Sequence, residues 1–272
     1  MRKLILGALA SLALGCSSMA KYETMPQQEA VNSDFQDKYA IVVAGSGDIG
    51  NYYGIPDAQN PFYLHSRNVY NQLRHLGFEQ EDMTLITNGT ASYSKLKRII
   101  EEYADKVDSN DLFIVYIGTH GSPFSLTLEG DGIEGLSVTE LERLLEEVKP
   151  KLGIVYVDSC YSGAYISDLS LDDYVAVSST GHYTGSYSDT TYTTGLEFFT
   201  AFSLPSSDAN EDGNITIAEA FEASNESSLR YQQDRISAGS EMAESAGFEQ
   251  EMYVGSQASP YYYLAGAEGW QE

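Results

Sequence analysis

Five short and almost wholly apolar runs, separated by stretches with apolar residues at helical spacing, restrict this chain to one kind of architecture. Tyr39 to Ala44, Met83 to Thr87, Asp111 to Ile117, Gly153 to Val157 and Tyr174 to Ser178 read as strands buried on both faces. Between them, Ser66 to Leu76, Ser94 to Val107 and Ser137 to Val148 read as amphipathic helices, and Ser137 with Glu140 forms a capping-box signature. Alternation of this kind predicts an α/β fold, a three-layer α/β/α sandwich around a mostly parallel central sheet. The 272 residues suffice for one main domain. Phe124 to Ile133 is short and Gly-rich and predicts a small hairpin turning through Gly130-Asp131-Gly132. Beyond residue 204 an acidic loop, a helix from Ile217 to Ile236 and a Tyr/Gly-rich tail follow, with Tyr261-Tyr262-Tyr263 expected to pack as a last strand or cap.

Charge removes one class of partner. With 40 acidic against 15 basic side chains the formal charge is -25, so a phosphate backbone is repelled and nucleic acid is not expected as a ligand. The N-terminus reads as an export signal: Arg2 and Lys3, the apolar run Leu4 to Leu14, then Gly15-Cys16-Ser17-Ser18. Its end, Ala13-Leu14-Gly15-Cys16, resembles a bacterial lipobox, which implies a lipid-anchored Cys16 and a membrane partner. By resemblance to Gram-negative lipoproteins, Ser17 points to the outer membrane; an ordinary secretory cleavage after Ala20 is the alternative. Residues 17–38 are polar, carry Pro26 and read as a tether. The expected organisation is therefore a signal peptide over 1–16, the tether over 17–38, a main unit over 39–204, and 205–272 as a C-terminal cap of the same domain.

Gly45-Ser46-Gly47-Asp48-Ile49-Gly50 satisfies the G-x-G-x-x-G spacing of dinucleotide sites, but a phosphate needs a helix N-terminus at the third glycine. Pro56 and Pro61 follow, and the stretch is expected to stay non-helical for about ten residues. No organic cofactor is expected.

Two strand ends carry chemistry. Leu112 to Ile117 stops at Gly118-Thr119-His120-Gly121, and Leu152 to Val157 stops at Asp158-Ser159-Cys160-Tyr161-Ser162-Gly163. In parallel neighbouring strands, His120 and Cys160 leave the same sheet edge side by side. The chain has only two cysteines, so with Cys16 lipidated Cys160 is its sole thiol, an unusual choice in an exported protein unless the thiol reacts. A thiol beside an imidazole ionises near neutral pH and attacks a peptide carbonyl, and the imidazole then protonates the departing amine. Gly121 permits close approach of a backbone N–H to the developing oxyanion, with the Cys160 N–H as second donor. Ser159, Ser162 and Gly163 are small enough to leave room for a substrate chain. A packed thiol and a turn histidine are the bland alternatives.

These strings resemble the clan of cysteine peptidases that holds legumains, caspases, metacaspases, gingipains and clostripain. Asp158-Ser-Cys-Tyr-Ser-Gly163 is close to the legumain form, and Val42-Val43-Ala44-Gly45-Ser46 is similar to that family's first strand. The resemblance spans Tyr39 to Phe202 and implies a caspase-like sandwich, with Cys160 as nucleophile, His120 as general acid, Gly121 as oxyanion donor and Asn51 as a residue orienting the imidazole. Where legumains place a pocket arginine this chain has Tyr53, and Thr184 stands where an acidic residue is usual, so asparagine preference does not carry over. Val177-Ser178-Ser179-Thr180-Gly181 is similar to the pocket-wall strand, which makes Ser178 and Ser179 candidates for substrate contact, and Asp189 and Glu197 candidates for holding a basic residue.

A second motif runs from Asp208 to Glu219. Asp208, Asn210 and Asp212 occupy the first, third and fifth positions of a calcium loop, Gly213 the turn, and Glu219 the twelfth position. Asn214, through its carbonyl, and Thr216 complete the expected ligands, and a helix over Glu197 to Leu204 would make the region EF-hand-like. Besides a peptidase, the same thiol and imidazole serve a transpeptidase, and a retired fold acting as a calcium-dependent binding module is the non-enzymatic alternative.

Overall fold

The computed structural model describes residues 19–21, 34–45, 61–87, 90–130, 133–186 and 192–266. Cys16, Asn51, Tyr53 and Asp189 lie outside the described residues, as do most of the glycine-rich segment and of the expected tether.

Five of the apolar runs do become parallel strands: β2 (Lys38–Ala44), β3 (Met83–Ile86), β4 (Leu112–Gly118), β8 (Leu152–Asp158) and β9 (Tyr174–Ser178). Every residue of β4 and β8 is buried, as continuous apolar runs require when helices cover both faces. Among the described residues the sheet has seven strands in the order β1-β11-β9-β8-β4-β2-β3, where β1 is Ala20–Lys21 and β11 is Met252–Val254, antiparallel to β9. The fold is thus a mostly parallel sheet with an antiparallel edge, as expected, but the edge draws on both chain termini.

The tether expectation needs correction here. Met19 is 5 % exposed in the core, and Ala20 and Lys21 pair with Val254 and Tyr253. Burial of one apolar side chain beside an open sheet edge is enough to seat a short polar segment.

Helix α1 (Pro61–His75) begins earlier than the sequence suggests, because Pro61 sits in its first turn, where a missing N–H costs nothing. With α5 (Thr194–Ala201) and α6 (Ile217–Ser237) it covers one face, around Tyr116, Tyr156, Phe198 and Phe199. Tyr116 and Tyr156 stack at 5.9 Å, and the Tyr156 hydroxyl donates to Gln250 Oε1 at 3.0 Å, which satisfies a fully buried polar atom. The opposite face is covered by α2 (Tyr93–Ala104), α3 (Val138–Leu145) and α4 (Ser162–Ser167). The expected capping box is formed, with the Ser137 N–H donating to Glu140 Oε2 at 2.9 Å.

Two small sheets are also present among the described residues. The hairpin expected over 124–133 is larger than its sequence signal: β5 (Gly121–Ser122), β6 (Ser125–Glu129) and β7 (Ile133–Ser137) form an antiparallel unit over the C-terminal edge of the main sheet. The tail supplies β12 (Tyr263–Gly266), which pairs with β10 (Asn214–Thr216). Ile215, Ile217 and Phe221 share a core with Ile114 and Tyr116, so residues beyond 204 belong to the same body. Among the described residues no helix is long and apolar enough to cross a membrane.

Candidate active site

Strand register places the two reactive groups. Gly118 of β4 is paired with Asp158 of β8, and the Thr119 N–H donates to the Asp158 carbonyl at 3.0 Å. His120 and Cys160 each lie two residues further on, so they leave the sheet at equal height from adjacent parallel strands. Gly121 then passes directly over the thiol-bearing turn: a β-carbon at 121 would stand 2.6 Å from Ser159 Oγ and 2.8 Å from the Cys160 carbonyl oxygen. Only glycine fits at that approach.

The turn at Cys160 is held from below. Tyr161 has φ 58° and ψ 22°, a left-handed conformation that a non-glycine residue keeps only under constraint. Its N–H donates to the Thr184 carbonyl at 2.9 Å, and α4 starts at the next residue. Ser179 Oγ accepts from the Ser159 N–H at 3.1 Å and donates to the Ser159 carbonyl at 3.3 Å. On the open side, a β-carbon at Gly185 would lie 3.6 Å from Cys160 Sγ, so the backbone of that loop borders the half-buried thiol.

These bonds correct several expectations. Ser178 and Ser179 are both fully buried, one pairing with the backbone of Glu251 and the other clamping Ser159, so they support the site instead of lining it. Ser159 and Ser162 are 2 % and 0 % exposed, and a β-carbon at Gly163 would meet the Thr180 carbonyl at 2.8 Å. Their small size serves close packing of loop 179–181, not room for substrate. Glu197 accepts from Ser227 Oγ of α6 at 2.8 Å, so its carboxylate is already engaged within the helical layer.

Sequence reasoning missed the role of Asp158. Its carboxylate is 6 % exposed and accepts from the Tyr116 hydroxyl at 2.9 Å and from Thr193 Oγ1. Burial and the Asp158 charge hold the Tyr116 phenol well above its ordinary value, so it remains a donor. Missed as well was the pair of His182 Nδ1 and Glu251 Oε2 at 2.7 Å, with Lys21 Nζ on the other carboxylate oxygen at 2.7 Å. Through these contacts the N-terminal strand is tied to the loop that carries Thr184 and Gly185.

His120 stays exposed as a residue, but its ring meets the edge of Phe62 at 4.7 Å between centroids. Loss of hydration lowers its pKa from the ordinary histidine value, and the Glu129 carboxylate opposes this by favouring the imidazolium. Two substitutions should therefore move its titration in opposite directions, as read from the His120 ring proton by NMR. Phe62→Ala readmits water and raises the midpoint, whereas Glu129→Gln removes the favourable charge and lowers it further. Equal shifts of one sign would show that neither group sets the value.

In the acidic loop the side chains of Asp208, Asn210, Asp212 and Glu219 turn onto the loop itself. The Asp212 N–H donates to Asn210 Oδ1 at 2.8 Å, the Gly213 N–H to Asp208 Oδ2 at 2.8 Å, and the Asn214 N–H to Asp212 Oδ1 at 2.8 Å. Glu219 Oε1 accepts from the Ala209 and Asn210 N–H groups at 3.2 and 3.3 Å, which brings the twelfth position back to the first turn. Glu211 at φ 60° and Gly213 at φ 87° make the bends. Thr216, expected among the ligands, is instead the N-cap of α6: its Oγ1 donates to Glu219 Oε2 at 2.8 Å. Among the described residues no three carboxylate, imidazole or thiol side chains are gathered into a formed metal centre.

Comparison with known proteins follows the same line. The model of the Peptidase C13 family matches residues 94–244, more than half of the chain and a span that includes His120, Cys160 and the acidic loop. Among solved structures, the crystal structure of caspase-1 from Spodoptera frugiperda is similar to this chain with a TM-score of 0.58 and 15 % identity, over 91 % of this chain and 99 % of that one. Comparison with curated proteins finds no match.

Proposed function

This chain belongs to the peptidase C13 family and is a cysteine peptidase with a caspase-like fold, and on that premise we propose that Cys160 is its nucleophile and His120 its acid/base partner. One observation carries the assignment: the pairing of Gly118 with Asp158, which sets the imidazole and the thiol on adjacent strand ends.

The chemistry proceeds from that placement. The Cys160 thiolate attacks the scissile carbonyl, forming a C–S bond and a tetrahedral oxyanion. The N–H groups of Gly121 and Cys160 are assigned to that oxyanion, because Gly121 alone can approach the thiol-bearing turn so closely. His120 gives its proton to the departing amine as the C–N bond breaks, then takes one from the water that releases the acyl group. The substrate is a peptide or protein.

The test is mass spectrometry of the folded chain after exposure to peptidyl acyloxymethyl ketones that differ in their first residue. A single adduct on Cys160, lost in His120→Ala, supports the assignment; failure of every probe on folded protein sinks it.

We further assign calcium to the loop from Asp208 to Glu219, with Asp208, Asn210, Asp212 and Glu219 as side-chain donors and Asn214 through its carbonyl. The donors are all oxygen, as a hard cation prefers, and the ion would draw together carboxylates that now accept N–H and O–H groups of the loop and its N-cap. Calcium in hundredfold excess over its Kd should stabilise the fold by about 2.7 kcal/mol. That corresponds to a rise in Tm of roughly 5–10 °C, and Asp208→Ala should lose it. A Tm indifferent to calcium and to chelator rules the loop out as a site. Lipidation of Cys16 and residence at the outer membrane remain our reading of the lipobox; Cys16→Ala should then release the protein from membranes into the soluble fraction.

A further inference from the structure

Phe124 is 72 % exposed, and its position in the fold gives that exposure a meaning. It occupies, with Pro123, the turn between β5 and β6, immediately after His120 and Gly121. The turn is held firmly. Ser122 pairs with Ser125, Ser122 Oγ donates to the Ser125 carbonyl at 3.2 Å, and Pro123 fixes its own φ. The base of the hairpin is fixed as well: the Thr127 N–H donates to the His120 carbonyl at 2.9 Å, Thr119 Oγ1 donates to the Thr127 carbonyl, and Gly121 sits on Cys160. An aromatic ring is thus presented to solvent on a rigid arm that starts at the thiol.

The side of the cleft follows from the proton. His120 protonates the departing amine, so the half of the substrate that leaves must run along the His120 side, where Phe62 already packs edge-on to the imidazole. Extended peptide advances about 3.4 Å per residue, and Phe124 lies three residues beyond Gly121, so side chains one or two positions past the scissile bond come within its reach.

We infer that Phe124 is the specificity-determining residue of an apolar subsite for the leaving half of the substrate, selecting peptides with an aliphatic or aromatic residue at the first or second position after the cleaved bond. This deepens the peptidase assignment and rests on it. Binding there covers an aromatic surface that otherwise faces water, and preorganisation of the turn lowers the cost of ordering it.

The test digests a peptide library of mixed sequence with the full-length chain and reads the residues on both sides of each cut by mass spectrometry, in parallel with labelling of Cys160 by an acyloxymethyl ketone, which carries no leaving-half residues. Wild-type protein should favour apolar over acidic residues or glycine by about tenfold at one of the two positions. Phe124→Ser should flatten that preference and Phe124→Leu should keep most of it, while a Cys160 adduct in both shows that the nucleophile is intact. A flat wild-type profile, or a preference that survives Phe124→Ser, overturns the inference alone. Absence of both labelling and cleavage overturns the peptidase site itself and the inference with it.

Discussion

Cys160→Ala should abolish peptide hydrolysis, with kcat/KM lower by about ten-thousand-fold or more, while the protein stays folded. The residue is half-buried at the head of a turn whose hydrogen bonds come from Ser179, Tyr161 and Thr184, none of which needs the sulfur. His120→Ala should cost less, about a hundred- to ten-thousand-fold, since a thiol keeps some nucleophilicity without its partner. The double variant should be no slower than Cys160→Ala, because the two groups act in one step. Rates from a fluorogenic peptide, with thermal unfolding as the control for folding, decide the matter. Wild-type turnover in His120→Ala would assign the proton to another group.

The largest effect on stability is expected beneath the nucleophile. The Asp158 carboxyl group is 6 % exposed and accepts from both Tyr116 and Thr193. Tyr116→Phe removes one donor from a buried acceptor and should cost about 1–3 kcal/mol. Adding Thr193→Val leaves the buried acceptor without either hydroxyl, and the total should reach about 2–6 kcal/mol, twice the cost of one lost donor. Urea unfolding measures this directly. If the double variant loses no more than Tyr116→Phe alone, water has replaced the Thr193 hydroxyl, and the pair of donors is not what holds this acceptor.

The parallel sheet was legible in the sequence because a strand covered on both faces must be apolar without interruption, and Leu112 to Ile117 and Leu152 to Val157 are. Its register was legible too, since a histidine and a cysteine each follow two residues after a matched strand end. What the sequence concealed was consumption of polar groups by partners distant in the chain. Ser178 reads as a pocket wall until Glu251, just before β11 and more than seventy residues away, takes its hydroxyl for its own backbone. Glu197 reads as a free carboxylate until α6 brings Ser227 to it. Pro61 reads as a helix breaker, yet the same missing N–H makes it a helix starter once the first turn is placed there. Met19 carries no periodic signal at all, being a single apolar residue that an open sheet edge recruits.

That recruited segment changes what an anchor at Cys16 would mean mechanically. Only Ser17 and Ser18 separate the cysteine from a methionine seated in the core, and two extended residues with their flanking bonds span about 11 Å at most. Under the proposed lipidation of Cys16, the attachment would be a mounting, not a leash. A body held that close to the bilayer would keep its cleft within about one molecular diameter of the lipid surface, and would process only chains that enter that layer.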